Sequence, residues 1–438
     1  MADTDTIFAL STPPGRSALA VFRISGAKCR GVFHHLTGTS CPKPRYAKLV
    51  GLSDPATAEK IDEAIVTFYE APHSFTGEDC LELSVHGAAS VITALTRVVG
   101  SLAEVRQAEP GEFTRRAHLA GKFDLAQAEA LADLIDSETE FQRRQALRAL
   151  DGALGKKIEN WRSRLLTVAA LLESSLDFSD EGDVAMFDTR AIERVCRELR
   201  ADMQEELSAS DRSLSLRQGF TIAIAGPPNV GKSTLFNCLS GEDLAIVSEY
   251  AGTTRDLVRN RLDLRGVPVN LVDSAGLHES LDPVELIGME RARTTAASAD
   301  LVIWLRSADT GAAPPEALPT PILEIWSKAD EAPPPEGMLA VAKNDSDSIS
   351  NLVEELRNRA LNVVGDGSEG SIIRERHRKS LERAMEDLER LAAHAARGDV
   401  ELAAEECRLA NDHLKGIAHG FDDEEVLGEI FRRFCVGK

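Results

Sequence analysis

Hydrophobic and polar residues alternate in different ways along the chain, and each pattern predicts a different kind of structure. Before residue 118, short runs rich in β-forming residues occupy 18–25, 63–70 and 80–87, and a stretch with helical spacing covers 88–102. Glycine, proline or serine stands at or just past the end of each run. The pattern predicts an α+β domain.

Two stretches of helical pattern flank a segment of different character. Between 124 and 217, Ala, Leu, Glu and Arg recur at helical spacing without proline, and helical stripes return at 381–391 and 402–414. Amphipathic helices must bury such stripes, so both flanks together predict one bundle with another domain inserted into it. The predicted segments are 1–118 (α+β), 119–216 (helical), 217–372 (inserted domain) and 373–438 (helical).

The inserted segment opens with a phosphate-binding pattern. A short apolar run, 220–225, ends at the glycine of GPPNVGKS (226–233), and helical spacing follows. Strand, glycine-rich loop and helix in this order predict main-chain amides that surround phosphates, with Lys232 offsetting their charge and Ser233 binding magnesium. The predicted contacts of this loop with a nucleotide are Asn229, Val230, Gly231, Lys232, Ser233 and Thr234.

Two further motifs supply residues for binding magnesium and the terminal phosphate. Asp273 ends another apolar run, 41 residues after Lys232, and begins DSAG, which adds Ser274, Ala275 and Gly276. A carboxylate there lies near the metal and Gly276 near the terminal phosphate. GTTRD (252–256) supplies Thr254 as a second hydroxyl for magnesium. Alone it is more often an ordinary turn, but among these motifs it is interpreted as a switch loop.

The motif SKAD indicates which base is bound. In the usual N/T-K-x-D form, the aspartate accepts two hydrogen bonds from guanine and the lysine stem covers the ring; adenine cannot satisfy that arrangement. Here Ser327 replaces the asparagine, so we expect guanine selectivity with lower affinity. The predicted base contacts are Ser327, Lys328, Ala329, Asp330, Val341, Ala342 and Lys343, the last three standing where S-A-K is usual. The series predicts a Ras-like P-loop GTPase domain with a doubly wound sheet.

Composition narrows the class of protein. The 438 residues are 43% hydrophobic, without an apolar run of about 18 residues or a leader-like start, so we expect a soluble, cytoplasmic protein without a membrane span. Seven scattered cysteines predict reduced thiols. A formal charge of −21 argues against a generic nucleic-acid coat. Two basic clusters are more readily interpreted as solvated helix faces than as RNA contacts: Arg115, Arg116, His118 and Lys122, and Arg374, Arg376, Arg378 and Lys379.

Several stretches carry a resemblance that reaches beyond the GTPase motifs. They are DTIFALSTPPGRSALAVFRISG, PHSFTGED, RQAEPGEFTRRAHLAGKFDLAQAEALADLID, VELIGMERA and the final FCVGK. With them, the chain resembles the tRNA modification GTPase family MnmE (TrmE) over essentially its whole length. It departs from the family pattern at Pro227, Ser274 and His278, which could alter turnover or switch coupling.

The resemblance implies a particular biochemistry. A homodimer binds a formyl- or methylene-tetrahydrofolate through its amino-terminal domains. With an FAD-dependent partner, MnmG (GidA), in a heterotetramer or larger complex, it adds a carboxymethylaminomethyl or aminomethyl group to C5 of the wobble uridine of certain tRNAs. The implied folate contacts are Arg23, Glu78, Lys122 and Lys438. Cationic side chains suit the anionic glutamate tail of folate, and a carboxylate can accept hydrogen bonds from the pterin ring. Cys435 is a possible participant, although a free cysteine is more often a small buried hydrophobe.

The resemblance also implies how GTP is hydrolysed. Glu285 of VELIG orients or activates the attacking water, because Leu277 and His278 offer no amide after DSAG; Glu290 is the nearby competitor. Potassium replaces an arginine finger and requires paired GTPase domains. Its ligands would be Asn229, Ser248, Tyr250 and Thr253. The loop that closes over the nucleotide comprises Ser248, Glu249, Tyr250, Ala251, Gly252, Thr253 and Thr254.

A second function class stays open on the GTPase motifs alone. GTPases with similar phosphate loops act as switches in ribosome assembly or RNA binding. Such proteins usually append a basic RNA-binding module, whereas this chain is acidic and carries the folate-like amino-terminal motifs. The flanks therefore favour the tRNA-modifying enzyme.

Overall fold

The computed structural model describes residues 5–177, 189–241, 244, 246, 259–273, 298–310, 314, 320–343, 345–368, 370–372, 374–418, 428, 430–432 and 434–437. The chain divides into two compact units. The first unit comprises residues 1–132 and 415–438, and the second comprises 133–414. The four-segment division expected from sequence stays a prediction.

A six-stranded sheet forms the frame of the first unit, in the order β3-β4-β5-β2-β1-β6. Only the contact between β1 and β6 is parallel. The strands are β1 (Thr6–Leu10), β2 (Ser17–Ser25), β3 (Lys48–Ser53), β4 (Lys60–Tyr69), β5 (Cys80–Gly87) and β6 (Val105–Gln107); the helices that follow them in the chain are α1 (Cys29–Thr37), α2 (Ala89–Gly100), α3 (Glu112–Leu119) and α4 (Leu125–Ile135). The predicted α+β arrangement is confirmed.

The core of the first unit follows from strand alternation. Leu81, Leu83 and Val85 of β5 point to one face of the sheet and are fully buried with Phe33 and Leu36 of α1. Side chains with period two on a strand meet side chains with helical spacing, so each element buries its apolar side against the other. This packing of the sheet against α1 fixes the positions of the strand ends and loops that carry polar groups.

The carboxy-terminal residues complete the first unit. Phe431 and Phe434 form an apolar cluster with Leu125 and Ala128 of α4. Close packing requires a glycine at position 111, where φ is 70° and a Cβ would lie 2.4 Å from the carbonyl oxygen of Phe431. The last described residues are thus held against residues from the start of the chain.

Helices from both flanks of the inserted segment pack together in the second unit. They are α5 (Glu140–Leu150), α6 (Ala153–Asp177), α7 (Thr189–Gln218), α10 (Glu375–Arg397) and α11 (Val400–Ala418). The stripe of α10 that includes Leu381, Leu388 and Leu391 is fully buried, as are Leu199 and Met203 of α7. The predicted bundle built from both flanks is confirmed.

A second six-stranded sheet lies between these flanks, in the order β12-β11-β10-β7-β9-β8. All neighbours are parallel except β8 and β9. The strands are β7 (Phe220–Ala225), β8 (Arg259–Leu264), β9 (Val267–Asp273), β10 (Leu301–Arg306), β11 (Ile322–Trp326) and β12 (Leu339–Ala340), and the helices are α8 (Lys232–Leu239) and α9 (Ser346–Val364). The strands that follow β7 in the chain lie on both sides of it in the sheet. The carboxyl end of β7 is therefore the topological switch point, where α/β sheets bind ligands.

Candidate nucleotide site and amino-terminal charge cluster

The loop between β7 and α8 has the backbone of a phosphate cradle. Gly226 has φ 146°, and a Cβ there would lie 2.8 Å from the carbonyl oxygen of Leu305. Asn229 and Gly231 have φ values of 61° and 101°, which turn the chain sharply before α8 begins at Lys232. Amide groups at a helix amino terminus attract anions, so this loop fits a phosphate group.

Lys232 lies across its own loop. Its Nζ donates to the carbonyl oxygens of Gly226, at 3.0 Å, and Pro227, at 2.8 Å. Ser233 and Thr234, in the first turn of α8, are exposed. An ammonium and an exposed hydroxyl at one helix start are the groups that a phosphate with a bound magnesium ion requires.

A cavity of about 210 Å³ adjoins the loop and unites three predicted motifs. It is lined by Asn229, Val230, Gly231 and Thr234 of the phosphate loop and helix, by Ser327, Lys328 and Asp330, and by Val341, Ala342 and Lys343, together with Leu235, Cys238, Glu331 and Ile349. Ala329 is joined to the third motif because its N–H donates to the carbonyl oxygen of Val341 at 3.2 Å. Val230 and Ser327, 97 positions apart, thus meet where a base would be read.

Ser327 turns toward the phosphate loop. Its hydroxyl is 2.6 Å from the carbonyl oxygen of Val230 and 3.1 Å from that of Arg306, and the residue is only 5% exposed. A hydroxyl donates one hydrogen, and the shorter contact is the one to Val230. The serine therefore ties the end of β11 to the phosphate loop.

Lys328 is held by the loop that follows β10. Its φ is 56°, and its Nζ lies 3.1 Å from a carboxylate oxygen of Asp309, in the loop after β10. The hydrogen bond to Asp309 raises the pKa of Lys328. Sequence reasoning missed Asp309, because the pairing depends on how two loops meet and no local motif announces it.

Asp273 ends β9 beside the strand that leads into the phosphate loop, opposite Ile224 of β7. Adjacent parallel strands end at the same sheet edge, as the predicted magnesium site requires. The remaining predicted nucleotide, metal and catalytic residues lie outside the described residues. They are Ser248, Glu249, Tyr250, Ala251, Gly252, Thr253, Thr254, Ser274, Ala275, Gly276 and Glu285, with its competitor Glu290.

Three of the four predicted folate residues meet around one loop of the first unit, 72–78. Arg23 lies over the ring of Phe75, with its guanidinium carbon 5.0 Å from the ring centre. Glu78 accepts a hydrogen bond from Ser25 at 2.7 Å, and the Nζ of Lys122 donates to the carbonyl oxygen of Pro72. Two cations, a carboxylate and an aromatic ring in one place suit a ligand with a flat heterocycle and an anionic tail.

Arg116 departs from expectation. The interpretation as a solvated helix face is wrong for this residue, which is only 5% exposed and lies among Asp5, Glu78 and Glu112 at 2.8, 3.3 and 3.0 Å. Burial alone raises the pKa of Glu112, but hydrogen bonds from Arg106 and from a main-chain N–H outweigh it and lower the pKa. A buried arginine compensated in this way positions Glu78 and does not serve as a nucleic-acid contact.

The second basic cluster is mostly neutralised by acidic neighbours. Arg374 lies 2.8 Å from Asp133 and is largely buried, while Arg378 pairs with Asp211 and Glu382. Long-range partners, invisible in a local window, again decide the environment of a charged residue.

Cys435 is exposed next to the first-unit core. Its carbonyl oxygen accepts a hydrogen bond from Gly111 at 3.3 Å, and Gly437 accepts one from the hydroxyl of Ser11 at 3.1 Å. Lys438, the fourth predicted folate contact, lies outside the described residues. Residues 434–437 are thus fixed on the first unit.

Comparisons with known proteins agree with this geometry. Family models described as "MnmE helical domain" and "GTP-binding protein TrmE N-terminus" match residues 125–435 and 6–122. Proteins named tRNA modification GTPase MnmE from Beijerinckia indica subsp. indica, Methylobacterium sp. and Rhodopseudomonas palustris are 46%, 44% and 43% identical. The alignments cover 100%, 99% and 99% of this chain and 97%, 100% and 99% of the relatives. Among the described residues, no helix is long and apolar enough to cross a membrane. The chain belongs to the tRNA modification GTPase MnmE family.

Proposed function

We propose that this protein hydrolyses GTP to drive modification of the wobble uridine (U34) of certain tRNAs. The observation that carries the proposal is the convergence of the phosphate loop, residues 327–330 and residues 341–343 on one cavity, in a chain whose flanks match the family throughout. The reaction adds an aminomethyl or carboxymethylaminomethyl group to C5, with a tetrahydrofolate one-carbon unit and an FAD-dependent MnmG partner.

Within the nucleotide site, each residue has a distinct task. Lys232 offsets phosphate charge, and Asp330 accepts the two N–H donors of the guanine edge. Ser233 and Thr254 would hold magnesium, which would supply positive charge against the negative charge of the phosphates. The exposed hydroxyl of Ser233 at the start of α8 supports this assignment.

Glu285 is proposed to orient the attacking water. The support is its family-matched position and the absence of an amide at Leu277 and His278. Glu285→Ala should retain GDP affinity and lose most turnover, whereas the matched control Glu290→Ala should retain both. Wild-type turnover in Glu285→Ala contradicts the role.

Potassium is proposed as the second cation of the hydrolysis site, bound by Asn229, Ser248, Tyr250 and Thr253. The exposed Asn229 beside the cavity supports this proposal. Oxygen ligands held at a fixed radius distinguish potassium from sodium. Turnover should be faster in potassium, rise with protein concentration and lose its potassium response in Asn229→Ala. Equal rates in the two salts at saturating GTP rule the mechanism out.

The first unit is proposed to bind 5-formyl- or methylene-tetrahydrofolate through Arg23, Glu78, Lys122 and Lys438. Arg23 reaches both Phe75, 5.0 Å away, and the Glu82 carboxylate, 2.9 Å away. Titration calorimetry with 5-formyl-tetrahydrofolate should give binding to the intact protein and weaker binding to Lys438→Ala. Lys415→Ala, another lysine at the carboxy-terminal end, is the control. Absence of binding to the intact protein removes the assignment.

Homodimerisation is proposed through the first unit. Leu49 and Ile65 are direct neighbours on β3 and β4 and are 68% and 52% exposed, with Leu19 exposed on β2 of the same sheet. Large apolar side chains that share a sheet face favour burial against another surface. A cytoplasmic location is proposed because tRNA and GTP are both available there.

One measurement separates this function from the alternative ribosome-assembly switch. Mass spectrometry of tRNA from cells lacking the gene should show unmodified wobble uridines. Normal wobble positions together with stalled ribosomal subunits would favour the alternative. The net charge of −21 supports the first outcome, because a generic RNA-binding switch requires a basic surface.

A further inference from the structure

The β8–β9 hairpin carries Asp273 at one end and a tight turn at the other. Arg265 and Gly266 form the two-residue turn, with φ values of 52° and 99° as a type I′ turn requires. β8 is the outermost strand of the sheet and pairs with β9 on its inner side. On its outer side, the N–H of Asp263 donates to the carbonyl oxygen of Leu244 and the N–H of Ile246 donates to that of Arg261, each at 2.9 Å. The turn follows these contacts in the chain, so its own support must come from residues packed against it.

Helix α5 supplies such support. The N–H of Phe141 donates to the carbonyl oxygen of Gly266 at 3.3 Å, and the Phe141 ring lies 3.1 Å from where a Cβ on Gly266 would stand. Phe141 also packs on the apolar core that contains Leu264 and Val267, next to the turn. Alongside it, Glu138 pairs with Arg261 of β8 at 2.9 Å.

Helix α5 is itself anchored to the bundle. Thr139 and Gln142 form a capping box at its amino terminus. The Gln142 side-chain amide also donates to the carbonyl oxygens of Leu216 and Arg217, each at 3.3 Å, in the last turn of α7. Gln145 donates to Ser213 of the same helix at 3.0 Å. The hairpin turn is therefore fixed relative to α7 through α5.

We propose that Phe141 is a positioning residue for GTP hydrolysis, acting through the β8–β9 hairpin on Asp273. β9 has seven residues and pairs with β7, which leads directly into the phosphate loop. A strand is stiff along its axis, so a displaced turn shifts β9 against β7 and changes the spacing between Asp273 and the phosphate loop. A misplacement of about 1 Å can slow catalysis by about 100-fold, and we expect about tenfold here, since β7 still restrains the strand.

The test compares Phe141→Ala with Phe141→Leu in the full-length protein. Hydrolysis is measured with GTP alone, without tRNA or partner protein, and GDP affinity is measured with a fluorescent analogue. Phe141→Ala should lower kcat about tenfold with GDP affinity within about twofold, and the larger leucine should restore most of kcat. Leu391→Ala, at a fully buried position of α10, controls for loss of stability and should leave kcat unchanged.

Three results would overturn the proposal. One is a lowered melting temperature in Phe141→Ala with kcat unchanged. Another is a parallel loss of GDP affinity, which would assign Phe141 to the general stability of the nucleotide site. If Phe141→Ala does not fold, Arg261→Ala is the substitute variant, because it loosens the same hairpin at its edge strand and should lower kcat about threefold. An unchanged kcat in Arg261→Ala is the third refuting result. None of these results depends on tRNA modification, so the proposal can fail while the proposed function stands.

Discussion

Replacing Ser327 with alanine tests how the base-reading segment and the phosphate loop depend on each other. The hydroxyl of Ser327 is 2.6 Å from the carbonyl oxygen of Val230, and Val230 has no exposed area. Alanine retains the main-chain hydrogen bond from residue 327 to Arg306 but offers nothing to Val230. The substitution therefore leaves one buried acceptor without this donor.

The expected magnitude follows from that lost donor. An unsatisfied buried polar group costs about 1–3 kcal/mol, and about 1.4 kcal/mol corresponds to a tenfold change in an equilibrium constant. Because the contact holds the nucleotide-free loop in its cradle conformation, its loss adds the cost of re-forming that conformation to binding, and GTP and GDP should both bind about tenfold more weakly. Guanine should still be preferred over hypoxanthine, which lacks the 2-amino donor, because the Ser327 hydroxyl points to the phosphate loop and not to the base.

Fluorescence titrations with GDP and IDP measure both quantities. Ser327→Thr keeps the hydroxyl and should bind nearly as tightly as wild type. Even a Cβ built on Gly231 would lie 4.0 Å from the Ser327 Cβ, so the extra methyl group of threonine has space on that side. The reasoning is refuted if Ser327→Ala loses its preference for GDP over IDP, which would mean that the hydroxyl reads the base. Unchanged affinity for both nucleotides would equally refute the importance of the contact to Val230.

Other substitutions test the charge cluster around Arg116, the docked carboxy-terminal residues and the buried carboxylate of Glu206 on α7. The pKa of Glu112 is lowered, so its ionised form stabilises the fold above about pH 4.5 and that contribution is lost as pH falls through the folded value; urea unfolding should show a weaker acid dependence in Glu112→Gln than in wild type. Gly111→Ala places a Cβ 2.4 Å from the Phe431 carbonyl oxygen, so it should make residues 428–437 more sensitive to proteolysis and weaken folate binding, whereas Gly31→Ala should do neither. Glu206→Ala removes the carboxylate that accepts from the main-chain N–H of Ser371, and denaturant titration should show a loss of about 1–3 kcal/mol, because a buried N–H is left without its acceptor.

Local sequence patterns predicted most of the nucleotide-binding fold. β7 begins and ends where the apolar run 220–225 does, and α8 begins at Lys232. Such elements are predictable because strand, glycine turn and helix start are all determined by neighbouring residues. Helical spacing likewise predicted that both flanks join in one bundle, since an apolar stripe must be buried wherever its partner lies in the chain.

Charged residues were less predictable, because their environment is decided by distant partners. Arg116 is neutralised partly by Asp5, 111 residues away, and Glu206 accepts from Ser371, 165 residues away. The spacing of Glu112 and Arg116 by four residues on one helix was an available signal for the first cluster. Nothing local distinguishes Asp309, which holds Lys328, from any other acidic loop residue.

The docking of Phe431 and Phe434 on the first unit sets the order in which parts of this protein can fold during its synthesis. Roughly 280 residues separate the two parts of that unit, so the ribosome adds them for about 15–60 s after residue 132 is made. During that interval Leu125 and Ala128 lack their partners Phe431 and Phe434. The inserted GTPase domain can therefore fold before the amino-terminal unit is complete, and an interrupted chain would contain the nucleotide site without a finished first unit.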